Sequence, residues 1–231
     1  MLRPGSSDRK SVDETWAKNA YRRPSFGFDV EPGETWLDLG ANIGAFSVYA
    51  HLRGASVVPF EPEPVCSALC RDNLALNGWR GTVRREAVVP DSEETKSLAL
   101  HVNHNPKGFR RHTLFEDYLG AKRKKHYKPI AVPTAQFSSL VSVQGTCLKV
   151  NIEGAEVPIF ETVGFDTLRL VRKLVFEYSF DYDKSIPRLR SLLARLGSSG
   201  FDIKTSRAVP ANADIWEWYP PNVYVFCIRR G

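Results

Sequence analysis

From residue 35 onward, short apolar runs suited to strands alternate with stretches whose apolar residues recur at helical spacing. That alternation limits the fold more than any other feature. TWLDLG (35–40) is an apolar run ending in glycine, and residues 43–53 follow with Ile43, Phe46, Val48, Tyr49 and Leu52 on a helical stripe. SVVPFEP (56–62) repeats the first theme, and residues 65–77 repeat the second up to Asn77-Gly78. TVRREAVV (82–89), SLALHV (97–102), TCLKVNI (146–152), LVRKLVFEYS (170–179), FDIKTSR (201–207) and NVYVFCIRR (222–230) predict strands. EVPIFETV and IPRLRSLLARLG (186–197) predict helices. Strands interleaved with helices imply a mainly parallel sheet covered on both faces. The last two strands leave no predicted helix between them and are expected to form an antiparallel hairpin. Ligands of such sheets bind beyond the carboxyl ends of the strands, so the residues just after each strand carry the interest.

The first strand runs into Asp38-Leu39-Gly40-Ala41-Asn42-Ile43-Gly44 and then a helix. Glycines at such a turn allow a ligand to approach the backbone. The spacing is neither the dinucleotide fingerprint nor a P-loop, which needs a following lysine. Any tight strand-to-helix turn can look this way. A second signal joins it at Phe60-Glu61-Pro62. Glu61 stands 23 positions after Asp38, near the ~20-residue separation at which an acid reaches a ribose diol. The alternative for Glu61 is a solvent-facing strand end.

Taken together, WLDLGANIGAFSVYA, VVPFEPEP, NLALN and LKVNIEGAEVPIFE resemble the FkbM-type methyltransferases across roughly residues 30–180. The resemblance implies a Rossmann-like class I methyltransferase fold, a mostly parallel seven-stranded α/β sheet with an antiparallel C-terminal strand. It implies S-adenosylmethionine as cofactor. Asp38, Gly40, Asn42 and Gly44 match the loop that cradles the methionine part, and Glu61 matches the acid that holds the ribose. Glu86 and Ala87 match the place where the adenine ring is held, although Glu86 also reads as an exposed charge.

In KVNIEGAE, the family pattern has Asp where this chain has Asn151. An amide is a weak ligand for a hard cation and cannot act as a base. The departure points away from metal-dependent chemistry at that position, with no metal site expected. It makes Glu153 the leading general-base candidate, with Glu177 of VFEYS beside it. Two carboxylates in one pocket raise one of their pKa values. Glu153 has a second reading, as a stabiliser of the following helix N-terminus.

The net charge of +6 is localised. Segment 107–128 holds eight Lys/Arg against two acids, and the remaining chain is balanced. Lys122, Arg123, Lys124, Lys125 and Lys128 form a run suited to phosphates, with Phe109 and Tyr127 available to stack, or else a solvated loop. His101, His104, Asn105 and His112 match no zinc spacing and read as loop residues or a substrate loop. Trp216-Glu217-Trp218-Tyr219 reads as hairpin packing or a stacking surface. TWAKNAYRR (15–23) reads as a lid or as a helix packed on the core.

The chain's 231 residues suit one domain, with 42% hydrophobic and 25% charged residues. The expected organisation is a polar tail over 1–14 and one domain over 15–231 with a basic insertion around 103–129. No run nears the ~18 apolar residues of a spanning helix, and the N-terminus lacks an apolar signal core. Cys66, Cys70, Cys147 and Cys227 form no CxxC, which suits buried thiols in a reducing, cytoplasmic setting. Three functions follow as expectations. The leading one is O-methylation of a sugar or other small hydroxylated molecule. The others are methylation of RNA held by the basic segment, and a non-catalytic binding or assembly role allowed by Asn151.

Overall fold

Trp36, Leu37 and Leu39 are buried on opposite faces of one strand, β1 (Thr35–Leu39). A strand covered on both sides reads as a continuous apolar run, and β6 (Thr146–Val150), buried throughout, does the same. The computed structural model describes residues 1–105, 112–116, 119, 124–180, 185–210 and 222–231. β1 lies between β2 (Ser56–Phe60) and β6, parallel to both, and β6 pairs in parallel with β7 (Val171–Ser179). β9 (Asn222–Arg229) runs antiparallel between β7 and β8 (Phe201–Thr205), so the predicted terminal hairpin is present. The order is β2-β1-β6-β7-β9-β8. The chain leaves β1 in one direction for β2 and later returns to its other side as β6. This topological switch opens a crevice at the strand ends.

Among the described residues the main sheet has six continuous strands, and the seventh position of the expected sheet is taken up at its edge by segment 82–89. Segment 82–89 joins its edge through one parallel bridge, Phe60 to Arg84. Arg84-Arg85-Glu86 is charged and largely exposed, and only β3 (Ala87–Val89) is a strand. β3 pairs with β5 (Tyr127–Gln136), which also pairs antiparallel with β4 (Ser97–Asn103). The basic insertion is thus the connection of a β4–β5 hairpin whose second strand starts at Tyr127. Pro129 and Pro133 hide that strand in the sequence. The structure tolerates them because β3 covers β5 only over Thr134–Gln136, leaving the earlier edge unpaired.

Two apolar layers flank the sheet. Leu37, Leu148 and Phe176 meet Ile159 of α4 (Glu156–Thr162) and Leu189 of α5 (Ile186–Ser198) on one face. Trp36, Val57 and Phe226 meet Phe46 and Tyr49 of α2 (Ala45–Leu52) and Leu74 of α3 (Pro64–Leu76) on the other. α3 begins with Glu63 accepting from Cys66 N at 2.6 Å, with Pro64 next. That pairing fits the first turn of a helix, where amide hydrogens lack partners.

Residues 1–14 are not a tail. α1 (Asp8–Val12) continues into a π-helical turn, Asp13–Ala17. Asp8 is fully buried and pairs with Arg3 at 2.6 Å, and the Met1 amino group donates to Asn73. The polar composition hid this because one of its acids, Asp8, is buried against Arg3 while Arg9 and Lys10 face water.

Candidate functional site

The crevice begins where β1 ends. Gly40 has φ +78°, and a Cβ there would stand 1.9 Å from the Asn151 carbonyl oxygen. Only glycine lets these two strand ends approach so closely. Gly40 N and Ala41 N both donate to Phe60 O, at 3.0 and 2.9 Å. Asn42, also left-handed at φ +52°, donates its N–H to Glu61 Oε2 at 2.7 Å. Glu63 N donates to Glu61 Oε1 at 2.9 Å. Glu61 thus ties the two strand-end loops together, and burial pushes its carboxyl up to about 7. Each of its oxygens retains a further accepting site.

Gly44 does something else. A Cβ there would meet Cys70 Sγ at 2.8 Å, so this glycine lets α3 pack against the loop. Asp38 also lies behind the crevice. It is fully buried, accepts from Ser47 Oγ at 2.6 Å and pairs with Lys149 Nζ at 2.9 Å. Burial opposes the charge on Lys149, but Asp38, Tyr21 and Glu61 together outweigh it and the amine's pKa is raised. Lys149 also donates to Gly40 O at 2.8 Å, so the pair buttresses the loop from beneath.

The second wall is the end of β6. Asn151 Nδ2 donates to Glu177 Oε2 at 2.8 Å and lies 3.4 Å from the Tyr21 hydroxyl. Asn222 donates to the other Glu177 oxygen. Burial pushes the Tyr21 hydroxyl up to about 12, which keeps it protonated at neutral pH. Glu153 follows with φ +55°. Glu156 is the acid in the first turn of the following helix, and it ties down the loop before it. Its Oε1 accepts from Ile152 N at 2.5 Å and its Oε2 from Gly154 N at 2.9 Å, while burial lifts its carboxyl to about 7.

These walls border a small cavity of about 50 Å³. It brings together Gly40, Asn42, Glu61, Glu86, Ala87, Asn151 and Glu153. Asp38, Gly44 and Glu177 do not line it, and Glu177 is bonded to Asn151, which does. Glu86 is half-buried and pairs with Arg84 at 2.6 Å. Apolar surface comes from Val88, Leu100, Leu114 and Ile152.

His112 also lines the cavity, and sequence reasoning grouped it only with other loop histidines. Its Nδ1 accepts from Asn103 N at 3.0 Å, which places the proton of the neutral ring on Nε2, 3.8 Å from Cys66 Sγ. Glu63, Cys66 and His112 bring one potential ligand atom each within 4.8 Å. Each is already committed. Glu63 accepts from the backbone, burial holds the thiol protonated, and Nε2 carries a proton. The trio is built as hydrogen-bonded packing. No local pattern announces it, since His112 lies 46 residues from Cys66.

Lys122 and Arg123 lie outside the described residues, as do 107–111 and Trp216–Tyr219. Lys124 pairs with Glu116 at 2.5 Å, and Lys125 and Lys128 are exposed. Among the described residues, no helix is long and apolar enough to cross a membrane.

A glycine turn and an acid-tipped second strand, meeting at the switch point of a doubly wound sheet with one antiparallel strand, define an S-adenosylmethionine-dependent methyltransferase of Rossmann-like fold. The chain belongs to the FkbM methyltransferase domain family, whose model matches residues 38–199. It is similar to methyltransferase sdnD of Sordaria araneosa, at 27% identity over 225 residues, covering 84% of this chain and 80% of that protein. It also resembles the 31-O-demethyl-FK506 methyltransferase FkbM of Streptomyces tacrolimicus, at 42% identity over 68 residues, 29% of this chain and 26% of that one. Among solved structures, magnesium protoporphyrin IX methyltransferase from Synechocystis matches with a TM-score of 0.48 and 11% identity, over 97% of this chain and 80% of that one.

The residues present fit the cofactor. Asn42 Oδ1 is removed from solvent and has no hydrogen-bond partner, although Asn42 lines the cavity. A buried acceptor of this kind is costly unless a ligand donor meets it. Glu61 has accepting capacity to spare, and the Gly40 turn leaves its backbone open to close approach.

Proposed function

We propose that this methyltransferase acts on a hydroxyl group of a sugar or other small molecule, with Glu153 as the base that takes the hydroxyl proton. The observation that carries the proposal is the placement of Glu153. It lines both the main cavity and an adjoining one of about 40 Å³, and it stands in the loop before the helix whose first turn carries Glu156. In this reading Glu61 accepts from the ribose hydroxyls, and Gly40 and Asn42 border the methionine part. Glu86 and Ala87 stand at the adenine end between the apolar walls. Asp38 and Gly44 act from behind, by holding the loop. The bound cofactor supplies a methyl group already activated on a sulfonium. What remains for the chain is to orient the acceptor, exclude water and accept one proton. Asn151 cannot take that proton and instead fixes Glu177 and the loop edge. The name of the Streptomyces relative, which specifies an O-demethylated substrate, supports oxygen as the acceptor atom.

The same reading makes catalysis independent of a metal, and treats residues 15–231 as one catalytic domain with residues 1–14 docked on it. The test is transfer of labelled methyl from S-adenosylmethionine to pools of sugars, small alcohols and RNA. Labelling of a hydroxylated small-molecule pool, lowered roughly 100-fold or more by Glu153→Gln, is the expected result. Labelling of the RNA pool alone overturns the acceptor assignment. Full turnover in Glu153→Gln overturns the base.

A further inference from the structure

Tyr21 is only 6% exposed, and its neighbours hold the ring in place. Phe46 and Tyr224 stand edge-on to it at 5.5 and 5.6 Å, and Lys149 Nζ lies over its face at 5.4 Å. Packing therefore sets where the hydroxyl stands, and hydrogen bonding sets where its proton can go. Glu177, a carboxylate, only accepts, so Asn151 must turn its amide nitrogen toward it, at 2.8 Å. The same nitrogen lies 3.4 Å from the Tyr21 oxygen. That oxygen receives a hydrogen from the amide and cannot give its own in the same direction. Among the described residues, no group accepts from Tyr21. The carboxylate of the family pattern at position 151 would accept this proton, and the amide of this chain does not.

A buried donor without an acceptor is costly, and a ligand oxygen that accepts removes the cost. Tyr21 lines the adjoining cavity, together with Gly40 of the glycine turn and Glu153, the proposed base. The space of about 40 Å³ has room for about two or three groups the size of a water. An oxygen that accepts from Tyr21 therefore shares a very small volume with the hydroxyl presented to Glu153. Two oxygens that close together belong to neighbouring carbons of one molecule.

We propose that Tyr21 determines acceptor specificity, its hydroxyl donating to a second oxygen on the carbon next to the one whose hydroxyl is methylated. The class selected is the vicinal diol, as in a sugar ring, over alcohols with a lone hydroxyl. This rests on the small hydroxylated acceptor and on Glu153 as its base. The test pairs cyclic vicinal diols, methyl glucosides among them, with ring alcohols that carry one hydroxyl, and reads kcat/KM for each with labelled S-adenosylmethionine. Wild type should favour the diols. Tyr21→Phe, with its melting temperature checked against wild type, should lower that preference roughly 10- to 100-fold, mainly through KM, while affinity for S-adenosylhomocysteine by calorimetry holds. A preference that survives Tyr21→Phe overturns the proposal. So does a fall in S-adenosylhomocysteine affinity, which would assign the hydroxyl to the cofactor. Equal labelling of both alcohol classes by wild type removes the role of Tyr21 alone, whereas labelling of neither class removes the small-molecule acceptor and this proposal with it.

Discussion

The Thr113 hydroxyl donates a 3.0 Å hydrogen bond to the carbonyl oxygen of Glu153. Thr113 belongs to the β4–β5 connection, is almost fully buried, and bridges back to His101 through paired backbone bonds. The connection that interrupts the alternating fold is therefore bonded to the loop that holds Glu153, the proposed base. Thr113→Val keeps the volume but leaves the Glu153 carbonyl and Phe115 N without this partner. We expect it to cost about 1–3 kcal/mol of stability and to lower turnover more than cofactor affinity. Thermal unfolding, a kcat assay and cofactor calorimetry on the one variant check this.

Gly40→Ala should be far harsher. Its Cβ would fall 1.9 Å from Asn151 O while φ stays at +78°. Both terms act together, so we expect a loss of roughly 3 kcal/mol or more and no measurable cofactor binding. Gly33→Ala shares the left-handed φ but meets nothing within 4 Å. It should cost only the backbone part, and denaturant melts of the two variants separate the terms.

The pH response follows from two buried acids. Glu61 and Glu156 both rise from 4.5 to about 7 through burial. The folded state then holds their protons more tightly than the unfolded chain. The stability they contribute is present below the unfolded value and is lost as pH rises through about 7. We expect the ligand-free melting temperature to fall between about pH 5 and about pH 7.5, by on the order of 2 kcal/mol per acid. Glu156→Gln should flatten the slope even if it lowers the whole curve. Ribose hydroxyls favour the ionised form of Glu61, so cofactor affinity should change in the opposite sense and improve as pH rises toward 7.

Metal independence has a direct check. With Asn151 in place of the family's carboxylate, we expect full activity after exhaustive chelation. Activity lost in chelator and restored by magnesium or manganese would reverse that assignment.

A small acceptor also sets the salt response. Single-stranded nucleic acid would lower log affinity by about 0.7 per phosphate contact for each decade of salt. For a small neutral acceptor we expect a flat profile, and replacing Lys122, Arg123, Lys124 and Lys125 together should leave turnover unchanged. A steep slope that the quadruple variant flattens would move the acceptor to the polyanion class.

What the sequence made legible was local. The glycine turn, the acid at the tip of β2 and the KVNIEGAE block each sit within a few consecutive residues, and the crevice gathers all three. What stayed hidden depends on contacts distant in sequence. β5 was masked by Pro129 and Pro133, which are tolerated only because its neighbour β3 is short. α1 was masked by a polar composition in which Asp8 is buried against Arg3. That Glu156, and not Glu153, bonds the amides of the loop is a three-residue distinction that spacing cannot make, because both lie near the same helix start. His112 needed the hairpin to carry it 46 residues back to Cys66.

Seven register pairs, from Ser97 with Pro133 to Asn103 with Tyr127, fix the stem of the β4–β5 hairpin. None of them belongs to the six-stranded sheet or to the Gly40 turn. A graft that exchanges the residues beyond the stem, while keeping His112 and Thr113, would leave the Gly40 turn and the pairings of the larger sheet as they are. The hairpin stem is thus a separable unit, whose connection can be varied as a library of one loop.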